Sequence, residues 1–363
     1  MKKLLVVVGT RPNFMKVTRF KQVAGARGDV QVRLVHTGQH YDDRMSTVFF
    51  EQFGLRPDHW LGIPAGSPNA QMAHIMLALE PVVEQERPDA MVVVGDVNST
   101  LAAALTANKM GVPLAHLESG LRSRDMGMPE EINRILTDRI TQHFLVTEPS
   151  GRANLLAEGA DAASVHMVGN TMIDTLVAFD ALIQADPVLD ELGLGTGGHV
   201  LMTIHRPATV DDAQQLQRLV DLITFVASKY RVVFPVHPRT ANNLRKAGLL
   251  ERLEALHGLI LCEPMDYFAF QRLVSTSVCV ITDSGGIQEE TTYRRIPCLT
   301  LRPNTERPVT ITEGTNELIP FDLEHVADAM ARIAAGTYKK GRVPDLWDGH
   351  ATERVFDALL RAL

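Results

Sequence analysis

Short apolar runs alternate with longer amphipathic segments along almost the whole chain. In the first half, the apolar runs cover residues 4–10, 30–38, 90–96, 113–119, 143–147 and 164–170, and they are rich in valine. The segments between them, such as NSTLAAALTANKMG, have helical spacing, with Asn or Ser at the start and Gly at the end. This alternation predicts a parallel sheet that is covered by helices on both faces.

A second series of apolar runs follows a polar, glycine-rich stretch at residues 186–198 that resembles a linker. The two series predict an α/β fold with two doubly wound, Rossmann-type domains, at residues 1–170 and 171–349. Ligands bind such sheets at the carboxyl ends of the strands, so we expect a site in a cleft that the two sheets face. The runs of the second series cover residues 199–205, 231–237, 259–264, 278–284 and 297–302.

Composition and charge narrow the classes of protein that this fold could serve. The 363 residues suffice for two domains, and a net charge of −7 argues against nucleic-acid binding, which needs a basic face. No apolar run approaches the roughly 18 residues of a membrane helix, and the first run is too short for a signal peptide. Cys262, Cys279 and Cys298 lie in apolar runs without metal-binding spacing, which is typical of a reducing compartment. We expect a soluble cytoplasmic protein without nucleic-acid or membrane partners.

Polar residues are concentrated directly after the predicted strands, most distinctively in the stretch TDSGGIQEE. There, Ser284, Gly285 and Gly286 would let backbone N–H groups approach a ligand, and the start of the next helix adds a positive dipole that suits phosphate. A tight turn in which Asp283 or Ser284 caps the helix explains the same residues equally well.

Other residues extend the phosphate hypothesis to a nucleotide. Glu290, later in the same stretch, could accept hydrogen bonds from both hydroxyls of a ribose. Arg11 and Lys16, in GTRPNFMK, could hold a diphosphate through charge-assisted hydrogen bonds, although a solvated first turn is the alternative. This first loop lacks the glycine spacing of dinucleotide folds, so NAD is not predicted.

Carboxylates also follow strands. Asp96 and Glu118 each end a predicted buried strand, where an unpaired carboxylate is costly, so each needs a partner or a raised pKa. Glu130 and Glu131 follow Pro129 at a helix start, where acids also simply complement the helix dipole. Two or three acids that converge from neighbouring strand ends suit proton transfer at a carbon. The acids lack the spacing of a zinc site, which leaves only magnesium open.

Histidines recur at strand ends as well. His116, His205 and His237 are each, taken singly, more typical of structural histidines than of catalytic ones. His205 is better placed, because Arg206 follows it and the two could face a leaving phosphate.

The ordered motifs GTRP, TGQH, GD followed by N-S-T, H-x-E-x-G-L-R, PEE-x-N-R, HR, PVH, TDSGGIQEE and TERP resemble those of the nonhydrolysing UDP-N-acetylglucosamine 2-epimerases. The resemblance spans about residues 4–320. It implies the two-Rossmann-domain architecture called GT-B, a C-terminal helix at about 350–363 that packs back on the first domain, and a homodimer. It also implies reversible epimerisation at carbon 2 of a UDP-sugar without a cofactor, through elimination of UDP to a 2-acetamidoglucal, for a surface polysaccharide.

The same resemblance assigns roles residue by residue. Asp96, Glu118 and Glu130 correspond to acids implicated in catalysis, and His205 corresponds to a histidine near the diphosphate. No metal is expected. Phe270 falls where family members stack the uracil, while its spacing alone also fits a core aromatic. The residues assigned to UDP-sugar binding are Arg11, Lys16, His237, Phe270, Ser284, Gly285, Gly286, Glu290 and Arg307.

Some segments depart from the family pattern. Many bacterial members are activated by a second UDP-N-acetylglucosamine molecule. Here Gln39 and His40 are followed by Tyr41-Asp42-Asp43 in place of the usual run. The resemblance therefore leaves substrate activation open. Ser119 and the methionines of RDMGMPEE would face the sugar, so the substrate could be another one, such as a 2,3-diacetamido uronic acid. The alternatives to a simple epimerase are a hydrolysing epimerase, a GT-B glycosyltransferase and a noncatalytic sensor.

Overall fold

The computed structural model describes residues 1–38, 52–195 and 198–363, apart from the side chain of Ala208. The run from Gln39 to Asp43, on which the expectation about substrate activation rests, lies outside the described residues. The chain divides into two units: unit 1 comprises Met1–Ala178 and Asp345–Leu363, and unit 2 comprises Phe179–Pro344. No helix among the described residues is long and apolar enough to span a membrane.

Unit 1 is built on a parallel seven-stranded sheet with the strand order β3-β2-β1-β4-β5-β6-β7. Every residue of β4 is buried, as expected for a central parallel strand with helices on both faces. The strands are β1 (Lys2–Val8), β2 (Val30–His36), β3 (His59–Trp60), β4 (Ala90–Val94), β5 (Leu114–Leu117), β6 (His143–Val146) and β7 (Val165–Met167). The helices are α1 (Arg11–Met15), α2 (Phe20–Arg27), α3 (Pro68–Glu86), α4 (Asn98–Lys109), α5 (Pro129–Arg139), α6 (Pro149–Ala157) and α7 (Thr171–Ala178).

Unit 2 is built on a parallel six-stranded sheet with the strand order β10-β9-β8-β11-β12-β13. The strands are β8 (His199–Thr203), β9 (Arg231–Pro235), β10 (Leu259–Cys262), β11 (Ser277–Thr282), β12 (Cys298–Thr300) and β13 (Asn316–Leu318). The helices are α8 (Asp180–Gln184), α9 (Val188–Glu191), α10 (Pro207–Val210), α11 (Ala213–Ala227), α12 (Pro238–Lys246), α13 (Leu250–Glu254), α14 (Tyr267–Thr276), α15 (Gly285–Arg294), α16 (Val309–Thr312) and α17 (Leu323–Ala334). The two parallel sheets confirm the predicted fold class, two doubly wound α/β domains.

The glycine-rich stretch at 186–198 is not a linker. It lies within unit 2, and Val188 and Leu189 of α9 are buried in an apolar cluster of that unit with Leu273 and Val274. The flanking Asp, Gly and Thr residues give the stretch a polar composition, but this apolar pair is enough to anchor it.

Unit 1 also includes two helical segments that follow its last strand, β7, in the sequence. In α7, the hydroxyl of Thr175 donates to the carbonyl of Met15, so the first segment continues past residue 170 to Ala178. The C-terminal helix α18 (Ala351–Ala362) packs on α2, where Phe356 meets Phe20 edge-on at 5.3 Å between ring centroids. Asp174 caps this helix by accepting hydrogen bonds from the N–H groups of Ala351 and Thr352, at 3.0 and 2.6 Å. Unit 2 is therefore inserted in the sequence of unit 1.

Candidate active site

Asp96 occupies the turn directly after β4. Gly95, with a φ of 67°, lets the chain leave the strand sharply, and Asn133 Nδ2 then donates to the carbonyl of Asp96 at 2.9 Å. The carboxylate of Asp96 pairs with Arg134, the next residue of α5, while its side chain stays 27% exposed. Two consecutive residues of one helix thus fix a carboxylate that solvent still reaches.

Glu118 follows β5, the neighbouring strand, and pairs with Lys16. Both side chains are almost completely buried, at 4% and 6% exposure, so the ammonium group neutralises the carboxylate away from bulk water. Glu118 adopts a φ of 70°, a left-handed conformation that non-glycine residues favour little and that clusters at functional sites. A Cβ built on Gly95 would lie 3.4 Å from Glu118 Oε2 and 3.5 Å from Lys16 Nζ. The Lys16–Glu118 pair therefore lies beside the turn that carries Asp96.

The two acids at the start of α5 have different surroundings. Glu131 is buried and accepts hydrogen bonds from the N–H groups of Ser123 and Arg124, both at 2.9 Å, and from Arg134 at 2.8 Å. Burial alone would raise the pKa of Glu131, but these hydrogen bonds outweigh it and hold the pKa below its ordinary value. Glu130 is exposed. Glu131 thus holds the loop before α5 in place, and Glu130 is the acid that faces outward.

In unit 2, Asp283 organises the residues after two neighbouring strands, β8 and β11. It is fully buried, and it accepts hydrogen bonds from the N–H groups of His205 and Arg206, at 3.0 and 2.8 Å. Nδ1 of His205 lies 3.1 Å from the same carboxylate. Burial would raise the pKa of Asp283, but the pairing with His205 and these N–H groups lowers it. The ionised Asp283 orients the His205 ring and leaves Nε2 as the nitrogen available for chemistry.

His237 lies close to His205, with 5.7 Å between their ring centroids. It is exposed, and its Nδ1 accepts a hydrogen bond from the N–H of Arg239 at 3.2 Å, so it caps the start of α12. The structure therefore brings two of the three strand-end histidines of the sequence together. Arg11, at the start of α1 in unit 1, is exposed.

The SGG turn leads into α15 without a side-chain cap. Ser284 is the N-cap residue but its side chain makes no capping hydrogen bond, and Asp283 is committed to His205, so the capping alternative is wrong. The N–H of Ser284 donates to Thr282 Oγ1 at 2.9 Å. A Cβ on Gly285 would lie 2.7 Å from Glu306 Oε1 and 2.9 Å from Arg307 Nη1, so a larger residue there would displace these side-chain ends. The amide of Ser284 is therefore already engaged within the turn.

Arg307 packs against this turn within a buried group of charges. Its Nε lies 3.0 Å from Glu289 Oε2, and its Nη1 pairs with Glu306, which in turn pairs with Arg302 at 3.0 Å. Two carboxylates therefore share the guanidinium of Arg307.

Glu290 lies one turn further along α15, with only 5% of its surface exposed. Burial raises the pKa of Glu290 to about 7, although the side chains of Gln271 and Tyr267 act in the opposite direction. Phe270 is half-buried and packs against the apolar cluster of Leu273 and Ile287. Phe270 thus contributes to this cluster without being fully buried.

A family model described as UDP-N-acetylglucosamine 2-epimerase matches residues 23–360. The chain belongs to this family. It is 36% identical to the UDP-N-acetylglucosamine 2-epimerase of Methanococcus maripaludis, over 92% of each chain. It is 35% identical to the UDP-2,3-diacetamido-2,3-dideoxy-D-glucuronate 2-epimerase of Pseudomonas aeruginosa, over 99% of each chain. The crystal structure of the Methanocaldococcus jannaschii UDP-GlcNAc 2-epimerase in complex with UDP-GlcNAc and UDP matches at a TM-score of 0.89 and 33% identity, over 99% of each chain. The resemblance drawn from the motifs is confirmed, and the UDP-N-acetylglucosamine 2-epimerases are a family of isomerases.

Several residues that support the candidate site of this UDP-N-acetylglucosamine 2-epimerase family member were not identified from the sequence. Arg134 and Asp283 are the clearest, because each pairs with a predicted site residue. PEE-x-N-R contained a signal for Arg134, since it lies on the helix that the two glutamates begin. For Asp283 the signal was its position between a strand and the SGG turn. A helix cap explained that position equally well.

Proposed function

We propose that the protein catalyses the reversible epimerisation of UDP-N-acetylglucosamine to UDP-N-acetylmannosamine. The observation that carries this proposal is the pair of acids at the ends of β4 and β5, each held by its own cation. Asp96 pairs with Arg134, and Glu118 pairs with Lys16. Positioned carboxylates of this kind can remove a proton from a carbon and return it.

The reaction runs through an elimination and a re-addition. A carboxylate removes the proton from carbon 2, the electron pair forms the double bond between carbons 1 and 2, and the bond from carbon 1 to the diphosphate oxygen breaks. The products are UDP and a 2-acetamidoglucal. A proton then enters carbon 2 from the opposite face and UDP adds back to carbon 1. Reaction at both faces needs more than one acid, and Asp96, Glu118 and the exposed Glu130 supply them.

We assign the binding of UDP chiefly to unit 2. The amides of Gly285 and Gly286, with the dipole of the ten-residue helix α15, suit a diphosphate, and the hydroxyls of the ribose suit Glu290. His205 has its Nδ1 fixed by Asp283, so Nε2 can stabilise the charge that develops on the leaving diphosphate. The remaining residues assigned to UDP-sugar binding are Arg11, Lys16, His237, Phe270, Ser284 and Arg307.

Proton NMR in deuterated water tests the proposal. With UDP-N-acetylglucosamine as substrate, the signal of the carbon-2 proton should disappear while the manno epimer appears, and Asp96→Asn should abolish both changes. Retention of the carbon-2 proton throughout would overturn the proposal. Accumulation of free sugar with an equal amount of UDP would instead identify a hydrolysing epimerase.

A modified sugar is the second candidate substrate. The relative named UDP-2,3-diacetamido-2,3-dideoxy-D-glucuronate 2-epimerase matches over 99% of both chains, and Met126 and Met128 lie in the loop before Glu130. The same NMR experiment with that uronate distinguishes the two: exchange with the uronate alone would favour it over the first candidate.

We further propose that the product serves surface polysaccharide synthesis and that the protein is a homodimer, as the family resemblance implies. Light scattering coupled to size-exclusion chromatography tests the dimer. A mass near 40.0 kDa, that of one chain, would refute it.

A further inference from the structure

His116 is a fully buried histidine of β5 whose two ring nitrogens both lie at hydrogen-bond distance from oxygen atoms. Nε2 lies 2.7 Å from the carbonyl oxygen of Gly95, and Nδ1 lies 2.6 Å from Oδ1 of Asp138. A carbonyl oxygen can only accept a hydrogen bond, so Nε2 must carry a proton.

Asp138 is also an acceptor in this arrangement. Its Oδ2 accepts a hydrogen bond from the N–H of Gly120 at 3.0 Å and lies 2.7 Å from Nη1 of Arg122. The pairing with Arg122 and the N–H of Gly120 favours the ionised form of this carboxylate. An ionised Asp138 can only accept from Nδ1, so that nitrogen must carry a proton as well.

We infer that His116 is a doubly protonated imidazolium and that it positions the two turns that carry Asp96 and Glu118. Through Nε2 it holds the carbonyl of Gly95, the residue before Asp96. Through Asp138 it holds the N–H of Gly120, two residues after Glu118. The charge state stands on these contacts alone, whereas the positioning role rests on the proposed function.

The surrounding charges balance a buried imidazolium. Asp138 from α5 faces it directly, Arg122 binds Asp138, and Glu158 at the end of α6 pairs with Arg122 at 2.6 Å. These four groups comprise two cations and two anions. The Lys16–Glu118 pair beside Gly95 is also neutral, whereas Arg134 is shared by Asp96 and Glu131, which leaves one negative charge in excess there. Paired and hydrogen-bonded in this way, the buried charge is tolerable.

NMR of the protein labelled with ¹⁵N-histidine tests the charge state. The two ring nitrogens of His116, identified by the loss of their signals in His116→Gln, should both show the chemical shifts of protonated nitrogens at neutral pH. A pair of shifts from one protonated and one unprotonated nitrogen at neutral pH would overturn the inference.

Two substitutions test the positioning role. An asparagine amide nitrogen lies close to where Nδ1 was, and a glutamine amide nitrogen lies close to where Nε2 was. His116→Asn therefore keeps the link to Asp138 and loses Gly95, and His116→Gln does the reverse. We expect kcat for carbon-2 exchange to fall on the order of 100-fold in His116→Asn, because small displacements of reacting groups cost that much. The fall should be smaller in His116→Gln, because Asp138 still binds the N–H of Gly120 and Arg122 there. The Kd for UDP should stay unchanged in both.

The controls separate positioning from loss of fold. His166→Asn and His166→Gln, at a half-buried histidine of β7, should leave kcat unchanged. Equal losses of kcat in the two His116 variants, or a matching rise in the Kd for UDP, would overturn the positioning role. Absence of carbon-2 exchange in the unmodified protein would instead overturn the proposed function, and the nitrogen spectra would still decide the charge of His116.

Discussion

Replacement of Glu290 by glutamine should stabilise unit 2, and it should do so more strongly at high pH than at low pH. Glu290 is buried, and burial raises its pKa from the ordinary 4.5 to about 7. The folded state therefore binds more protons than the unfolded state between these two values. The free energy of unfolding falls as the pH rises through that window and stays lower above it. Glutamine has no ionisation, so the variant escapes this cost.

The magnitude follows from the two pKa values. Each tenfold change in an ionisation constant corresponds to about 1.4 kcal/mol, so ionising the buried carboxyl costs roughly 3 kcal/mol well above neutral pH. About 2 kcal/mol of this cost develops between pH 5.5 and pH 8.5. The difference between the two pH values is the informative quantity, because any change in packing or hydrogen bonding that glutamine causes is present at both.

Urea unfolding at these two pH values measures the effect. Both tryptophans, Trp60 and Trp347, lie in unit 1, so far-UV circular dichroism reports both units while tryptophan fluorescence reports unit 1. The circular dichroism transition of Glu290→Gln should shift to higher urea at pH 8.5, and the fluorescence transition should move less. Glu263→Gln, at an exposed glutamate of unit 2, is the matched control and should show no pH-dependent shift. Equal stabilisation of Glu290→Gln at both pH values would refute the reasoning.

Four further substitutions separate residues with different roles. Glu130→Gln should abolish turnover with no change in Tm. Glu131→Gln should lower the Tm, because a weaker hydrogen-bond acceptor would face Arg134 and the loop amides. Calorimetry measures the Tm of both variants, and the NMR assay measures their turnover. Asp283→Asn should lower kcat by roughly 10- to 100-fold in initial-rate assays, because Nδ1 of His205 loses its charged partner. Gly120→Ala should destabilise unit 1 by roughly 2 kcal/mol or more in urea unfolding followed by fluorescence, since its Cβ would lie 2.3 Å from the carbonyl oxygen of Gly151.

The predictions for Glu130, Asp283 and Gly120 can each be contradicted by a specific result. A Glu130→Gln enzyme that still turns over substrate would remove Glu130 from the catalytic set. An Asp283→Asn enzyme with an unchanged kcat would show that the His205 ring needs no charged partner. Gly159, which has a φ of 91° and no atom within 4 Å of an added Cβ, is the control for Gly120. If Gly159→Ala cost as much as Gly120→Ala, backbone strain rather than the clash would be responsible.

The strands were largely predictable because central parallel strands are buried on both faces and read as continuous apolar runs. Every predicted run overlaps a strand of the structure. The sheet-edge strands β3 (His59–Trp60) and β13 (Asn316–Leu318) were not predicted, because two or three residues of mixed polarity carry no such run. The anchoring of residues 186–198 was also not predictable, because it depends on contacts with α14 far along the chain.

Candidate site residues could be identified from the sequence when they lie directly after a predicted strand. Their partners could not, because pairing depends on tertiary structure: Asp283 and His205 are 78 residues apart in sequence. The roles of Glu130 and Glu131 could not be separated either. Adjacent helical residues point roughly 100° apart, and only the packing of α5 determines which of them is buried.

The return of α18 to unit 1 has a consequence for biosynthesis. A ribosome makes the whole of unit 2 before it makes the residues of α18, whose N–H groups bind Asp174. During translation, unit 2 can fold from one continuous stretch of nascent chain, while unit 1 must wait for its last helix. The unit that is first in the sequence is thus the last to be finished, and the turns that carry Asp96 and Glu118 belong to it.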